Sequence, residues 1–131
     1  FLRPKQRTEE RYSEPGGNID YERLTKEVLE PLKAHEQFSY RPFSCQTQNL
    51  AEPVTVYPLD ITVVEGAYSC HPNLSEYYDL RVFLNIDAET QKIRVRERNP
   101  QNAEMFFEKW IPLEEKYLEA FGIREKCELD L

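Results

Sequence analysis

The chain has 131 residues, a formal net charge of −7, 40% hydrophobic and 31% charged residues. That length gives room for one domain with a substantial core, and the composition is that of an ordinary globular protein. The acidic balance excludes a broad nucleic-acid footprint, and no run approaches the roughly 18 apolar residues of a membrane span, so neither nucleic acid nor membrane is an expected partner.

From Phe1 to Gly17 the sequence is polar, rich in Arg and Glu, and ends in Pro15-Gly16-Gly17, which predicts a loop or a mobile arm. Asn18 or Asp20 is placed to cap a helix reaching Ala34, with Leu24, Val28, Leu29 and Leu32 as its apolar stripe. Two extended runs follow, Phe38 to Cys45 and Val54 to Tyr57, joined through Gln46-Thr47-Gln48-Asn49. Together they predict a projecting hairpin over 38–58, with Pro42 and Pro53 keeping it at an edge.

Leu59 to Val64 and Leu80 to Ile86 are β-branched and largely apolar, the pattern of strands in a parallel sheet. Asp87 is a cap for a helix from Ala88 to about Arg98, which Asn99-Pro100 ends. A last helical stretch, Asn102 to Phe121, contains Pro112, where a kink or a fresh start is expected. Lys126 to Leu131 is a candidate for one short final strand. The alternation of strand and helix predicts an α/β fold, a single domain with helices on both faces of a parallel sheet.

Cys45, Cys70 and Cys127 are widely spaced with no C-x-x-C pair, so neither a zinc site nor a disulfide framework is indicated, and a reducing cytoplasm is the expected setting. Phe1-Leu2-Arg3-Pro4 carries neither an initiator methionine nor the apolar stretch of a signal peptide, which predicts that these residues belong to a longer chain.

Ligands of open α/β sheets bind at the carboxyl ends of the strands, where Glu65 falls, followed by Gly66. A carboxylate there can organise magnesium through water, or it can simply cap the loop. Arg94 and Arg98 are four apart and share a helix face, with Arg96 turned away. Two guanidinium forks on one face can clamp phosphoryl oxygens; the alternative is a solvated face paired with Glu89, Glu97 or Glu104.

Phe38, Tyr40 and Phe43, beside Arg41, can stack on a planar base or form a small core under the hairpin. His71 beside Cys70 offers too few ligands for a metal. His35, near a helix end, complements its dipole. Phe106, Phe107, Trp110 and Leu113 read as core packing. No G-x-x-x-x-G-K-[ST] loop occurs in the chain.

Three segments together resemble the uridine kinase and phosphoribulokinase branch of P-loop kinases. Val54-Thr55-Val56-Tyr57-Pro58 running into Leu59-Asp60-Ile61-Thr62-Val63-Val64-Glu65-Gly66 is similar to that family's hairpin strand and the strand ending in Glu-Gly. Tyr77-Tyr78-Asp79-Leu80-Arg81-Val82-Phe83-Leu84-Asn85-Ile86-Asp87 resembles its next core strand, and Ala88-Glu89-Thr90 leads into the arginine helix and a lid, residues 94–111. The resemblance implies a three-layer kinase fold, with ATP and Mg2+ as cofactors and a nucleoside or similar hydroxyl compound as acceptor. Other acceptors of this kind include nicotinamide riboside and pantothenate. The oligomeric state stays open.

By the same resemblance, Glu65 is the acidic residue near magnesium, and Tyr40 holds the nucleoside. Arg94 and Arg98 reach the phosphates. Phe1 is an aromatic beside the acceptor, at the end of a stretch that supplies a catalytic aspartate. That aspartate, the phosphate loop and the first strand would then precede Phe1, and this chain alone would be inactive. Cys45 stands where the family carries a base-reading histidine, and Gly16 where it carries an acidic residue on the ribose hydroxyls. Asn99-Pro100-Gln101-Asn102 replaces the extra lid arginines. A non-catalytic relative that binds a ligand or partner through the hairpin is the rival expectation.

Overall fold

Asp20 begins the first long helical run because its carboxylate accepts the Arg23 amide at 3.2 Å, satisfying a donor that the helix itself leaves open. α2 (Tyr21–Leu24) passes through a π-helical turn, Thr25–Leu29, into α3 (Glu30–Lys33). A second run repeats the device: α5 (Ala103–Met105), a π turn at Phe106–Trp110, then α6 (Ile111–Phe121). In each run a proline sits two residues beyond the wide turn, Pro31 and Pro112. A proline ring collides with the carbonyl four residues back, here Glu27 or Glu108, both inside the π turn. Widening the turn relieves that collision: the amides of Glu30 and Ile111 bond five residues back, to Thr25 and Phe106. The helix carries on instead of breaking.

The computed structural model describes residues 1–131, and the chain divides into two compact units, Phe1–Tyr78 and Asp79–Leu131. In the first unit the N-terminal segment departs from the loop expected of its composition. It forms a 3-10 turn at Pro4–Gln6 and a short helix, α1 (Glu9–Ser13), capped by the Thr8 side chain accepting from the Arg11 amide. Leu2 is buried and its amide bonds the Asn18 carbonyl, so the segment is packed down. Leu29 and Leu74 are the other buried apolar residues of this unit. His35 ends α3 in the left-handed conformation, φ 54°, while its amide bonds Leu32 and that of Glu36 bonds Pro31. Its part in ending the helix is thus a backbone one.

The hairpin forms as expected, in two short ladders. β1 (Phe38–Tyr40) pairs antiparallel with β4 (Val54–Val56), Phe38 opposite Val56. β2 (Phe43–Ser44) pairs with β3 (Asn49–Leu50) towards the tip.

Leu59–Val64 is different. It joins no sheet, bends at Asp60, and none of its backbone groups bonds to the rest of the chain. Leu59, Ile61 and Val63 are 74%, 82% and 82% exposed. The expectation of a sheet strand there is corrected: β-propensity extends the backbone, but a strand also requires a neighbouring edge.

In the second unit, β5 (Val82–Phe83) pairs parallel with β6 (Leu129–Asp130), the only parallel pair. The final strand anticipated at the tail is therefore present, whereas the strand anticipated over Leu80–Ile86 pairs along a short central stretch and on one edge. Leu80 and Leu84 remain exposed. Asp87 caps α4 (Ala88–Arg98) through its carboxylate, which accepts from the Thr90 amide at 2.9 Å. Val95, Ala103, Tyr117 and Ile123 are this unit's buried apolar residues, and Gly122, φ 55°, closes α6. Phe106, Phe107, Trp110 and Leu113 lie half-buried. The architecture is mixed α/β with small separate sheets, and no helix is long and apolar enough to cross a membrane.

Candidate functional site

The hairpin is braced by arginines. Arg41 turns its guanidinium inward along the hairpin, donating to the Ala51 carbonyl at 2.8 Å and the Leu50 carbonyl at 3.1 Å. Arg23, from α2, donates to the Arg41 carbonyl at 2.7 Å and to Glu27 at 3.1 Å, and lies 3.6 Å from the Asp20 carboxylate. Arg7 reaches the tip, bonding Gln48 and standing 6.0 Å from the Phe43 ring centroid. The N-terminal segment, helix and hairpin therefore share one network of charged hydrogen bonds.

Of the anticipated acceptor residues, Tyr40 is half-buried on β1, its ring 6.5 Å from that of Phe38. Phe1 is 53% exposed, and Cys45 is exposed at the hairpin tip. The Phe1 amino group lies within electrostatic reach of Arg23, Asp20, Cys45 and Arg7.

Glu65 is exposed and makes no hydrogen bond or ion pair, so it does not cap the loop that follows. At Gly66, φ 148°, nothing lies within 4 Å of where a Cβ would stand, leaving open space at the end of the unpaired segment. Arg94 and Arg98 are both exposed on α4 and form no ion pair with Glu89, Glu97 or Glu104. Arg96 instead stacks over Phe107 at 5.2 Å. Two unneutralised guanidinium groups one helical turn apart can accept an anion without first breaking a salt bridge.

Sequence reasoning did not anticipate Arg11, Tyr21 and His71. The Arg11 guanidinium donates to the carbonyls of Gly17 and Ile19, the Tyr21 hydroxyl and the Glu22 carboxylate. Tyr21 in turn donates to Glu14 at 3.0 Å, and its ring stacks on buried His71 with centroids 4.5 Å apart. Thr8 ahead of two glutamates was the available signal that Arg11 lies in a helix instead of a loose arm.

No group of three or more His, Cys, Asp or Glu side chains is arranged to hold a metal ion. Glu65 supplies one carboxylate, too few oxygens for magnesium, and the chain has no phosphate loop. Residues 1–131 by themselves therefore do not fit magnesium or ATP. No family model matches the chain, and no curated protein matches it.

Proposed function

We propose that these residues form the acceptor and arginine side of a uridine kinase-like phosphotransferase, whose phosphate loop lies outside residues 1–131. The observation that carries this reading is the unpaired segment Leu59–Val64. It is apolar, lacks any backbone partner, and leads into unpaired Glu65. An apolar strand with open backbone edges is complete only beside another strand. The resemblance puts the first strand of the kinase sheet, with its phosphate loop, at this edge.

On this reading the parent enzyme transfers the ATP γ-phosphoryl group to a primary hydroxyl, a nucleoside 5′-hydroxyl first among them. The acceptor oxygen bonds to phosphorus, the bond to the ADP oxygen breaks, and an aspartate outside these residues takes the hydroxyl proton. By the resemblance, Arg94 and Arg98 serve the phosphoryl oxygens, to which their lack of salt bridges leaves them available, and Tyr40 serves the acceptor.

The test is ADP release by the longer protein, read from the natural reading frame, against uridine, cytidine, nicotinamide riboside and pantothenate. The expected result is an upstream G-x-x-x-x-G-K-[ST] loop, turnover with one of these acceptors, and a loss well above tenfold in Arg94→Ala and in Arg98→Ala. A reading frame without that loop would sink the proposal. Unchanged turnover in both variants would remove the arginines from it. The open strand also favours a second reading, a non-catalytic relative that takes a partner's strand at the same edge. Binding without ADP release would support that alternative.

A further inference from the structure

Outside the proposed site, His71 is a buried titratable group that joins two segments. It is 2% exposed and begins the 3-10 turn Pro72–Tyr77, its Nδ1 accepting from the Asn73 amide at 3.2 Å. A ring nitrogen that accepts a hydrogen bond carries no proton, so the imidazole is neutral and its proton sits on Nε2. The Pro15 carbonyl lies near enough to favour the charged ring. One ring therefore joins the segment after Gly66 to residues 11–22: it caps its own turn and stacks on Tyr21.

The charged groups around it are Arg11 and Glu14 from the N-terminal segment and Glu22 from α2. Burial pushes the His71 pKa below the ordinary imidazole value and Arg11 pushes the same way, against the pull of Glu14, the Pro15 carbonyl and Glu22. Arg11 is fixed, its guanidinium 4.4 Å from the Tyr21 ring centroid and bonded to Glu22 at 2.6 Å. A proton arriving on Nδ1 would point a second donor at the Asn73 amide and bury a cation among these groups. The cap and the charged ring cannot coexist.

We propose that the stack of His71 on Tyr21 is an acid-released latch, in which a solvent proton on His71 Nδ1 frees residues 66–78 from residues 11–22. The sign follows from the lowered folded-state value. The neutral ring contributes its full stabilisation above the unfolded imidazole pKa of about 6.5, and that contribution is lost progressively as pH falls below it.

The experiment is amide exchange on the full chain by NMR from pH 7.5 to 5.0, with imidazole carbon-bound protons followed in parallel. Protection of Asn73 and Leu74 should fall by about tenfold or more as His71 titrates, after correction for intrinsic rates. His71 should titrate below the ordinary imidazole value of about 6.5. In His71→Gln, which cannot be protonated, the acid loss of protection should vanish. The same acid loss in His71→Gln overturns the proposal. So does titration of His71 in the unaltered chain with the Asn73 and Leu74 amides still protected, a measurement that does not depend on the variant folding.

Discussion

The hairpin and the segment that follows it are built from similar residues and end differently. Val54-Thr55-Val56 and Ile61-Thr62-Val63 have the same alternating, β-branched character. The first is locked residue for residue against Phe38–Tyr40, with the hydroxyls of Ser39 and Thr55 bonded 3.0 Å apart. The second forms no backbone hydrogen bond with any other segment. Local propensity sets conformation; a strand also requires a second chain segment to satisfy its amides and carbonyls.

The largest effect expected from this contrast is in amide exchange. In residues 1–131 alone, the amides of 59–64 should exchange near intrinsic rates and those of the β1–β4 ladder should be slowed. On the proposed kinase reading, a strand supplied by a longer parent protein and paired to 59–64 should slow its amides by roughly a hundredfold or more. Exchange mass spectrometry reads both, and fast exchange at 59–64 in both forms would remove the pairing from the account.

Next in size is a pair of core and surface truncations. Leu74 is 0% exposed, so Leu74→Ala should cost about 2–5 kcal/mol in urea unfolding. Ile61→Ala should change stability by no more than about 0.5 kcal/mol in the same chain, its side chain being in water already. A large loss for Ile61→Ala would show that the open segment is covered in solution.

The smallest effect concerns the parallel pair. Hydrogen bonds from the Arg81 side chain and amide hold the Glu128 carboxyl at about 2, below its ordinary 4.5. Because that value is depressed on folding, its stabilisation of the pairing is present above pH 4.5 and fades as pH falls towards 2. Glu128→Gln should flatten the acid-side shift of the Arg81 amide resonance while changing little at neutral pH. An unchanged acid-side shift in the variant would assign it to another group.

How much of this was legible in the sequence depended on how local each signal was. Asp20 and Asp87 announce helix starts because a cap acts within three residues, and both caps form. The hairpin was legible because its two arms are close in sequence and flank a polar turn. Leu59–Val64 was misread because its apolar alternation states what it needs and not whether the chain provides it. The arginine network was also out of reach: Arg7 and Gln48 are 41 residues apart, and nothing local foretells their meeting. Arg94 and Arg98 could be placed on one face by spacing, but their freedom from ion pairs was visible only in three dimensions.

Gly17 carries a consequence for anyone comparing relatives of this chain. A Cβ at that position would stand 2.0 Å from the Arg11 carbonyl oxygen and 2.9 Å from the Glu14 Cβ. Even alanine would push apart the end of α1 and the loop its guanidinium clasps, so a saturation library at position 17 should return glycine almost alone. In an alignment, Gly17 would then stand out as invariant and invite interpretation as part of a phosphate-binding signature. Its invariance would have a humbler origin, the closeness of two pieces of main chain.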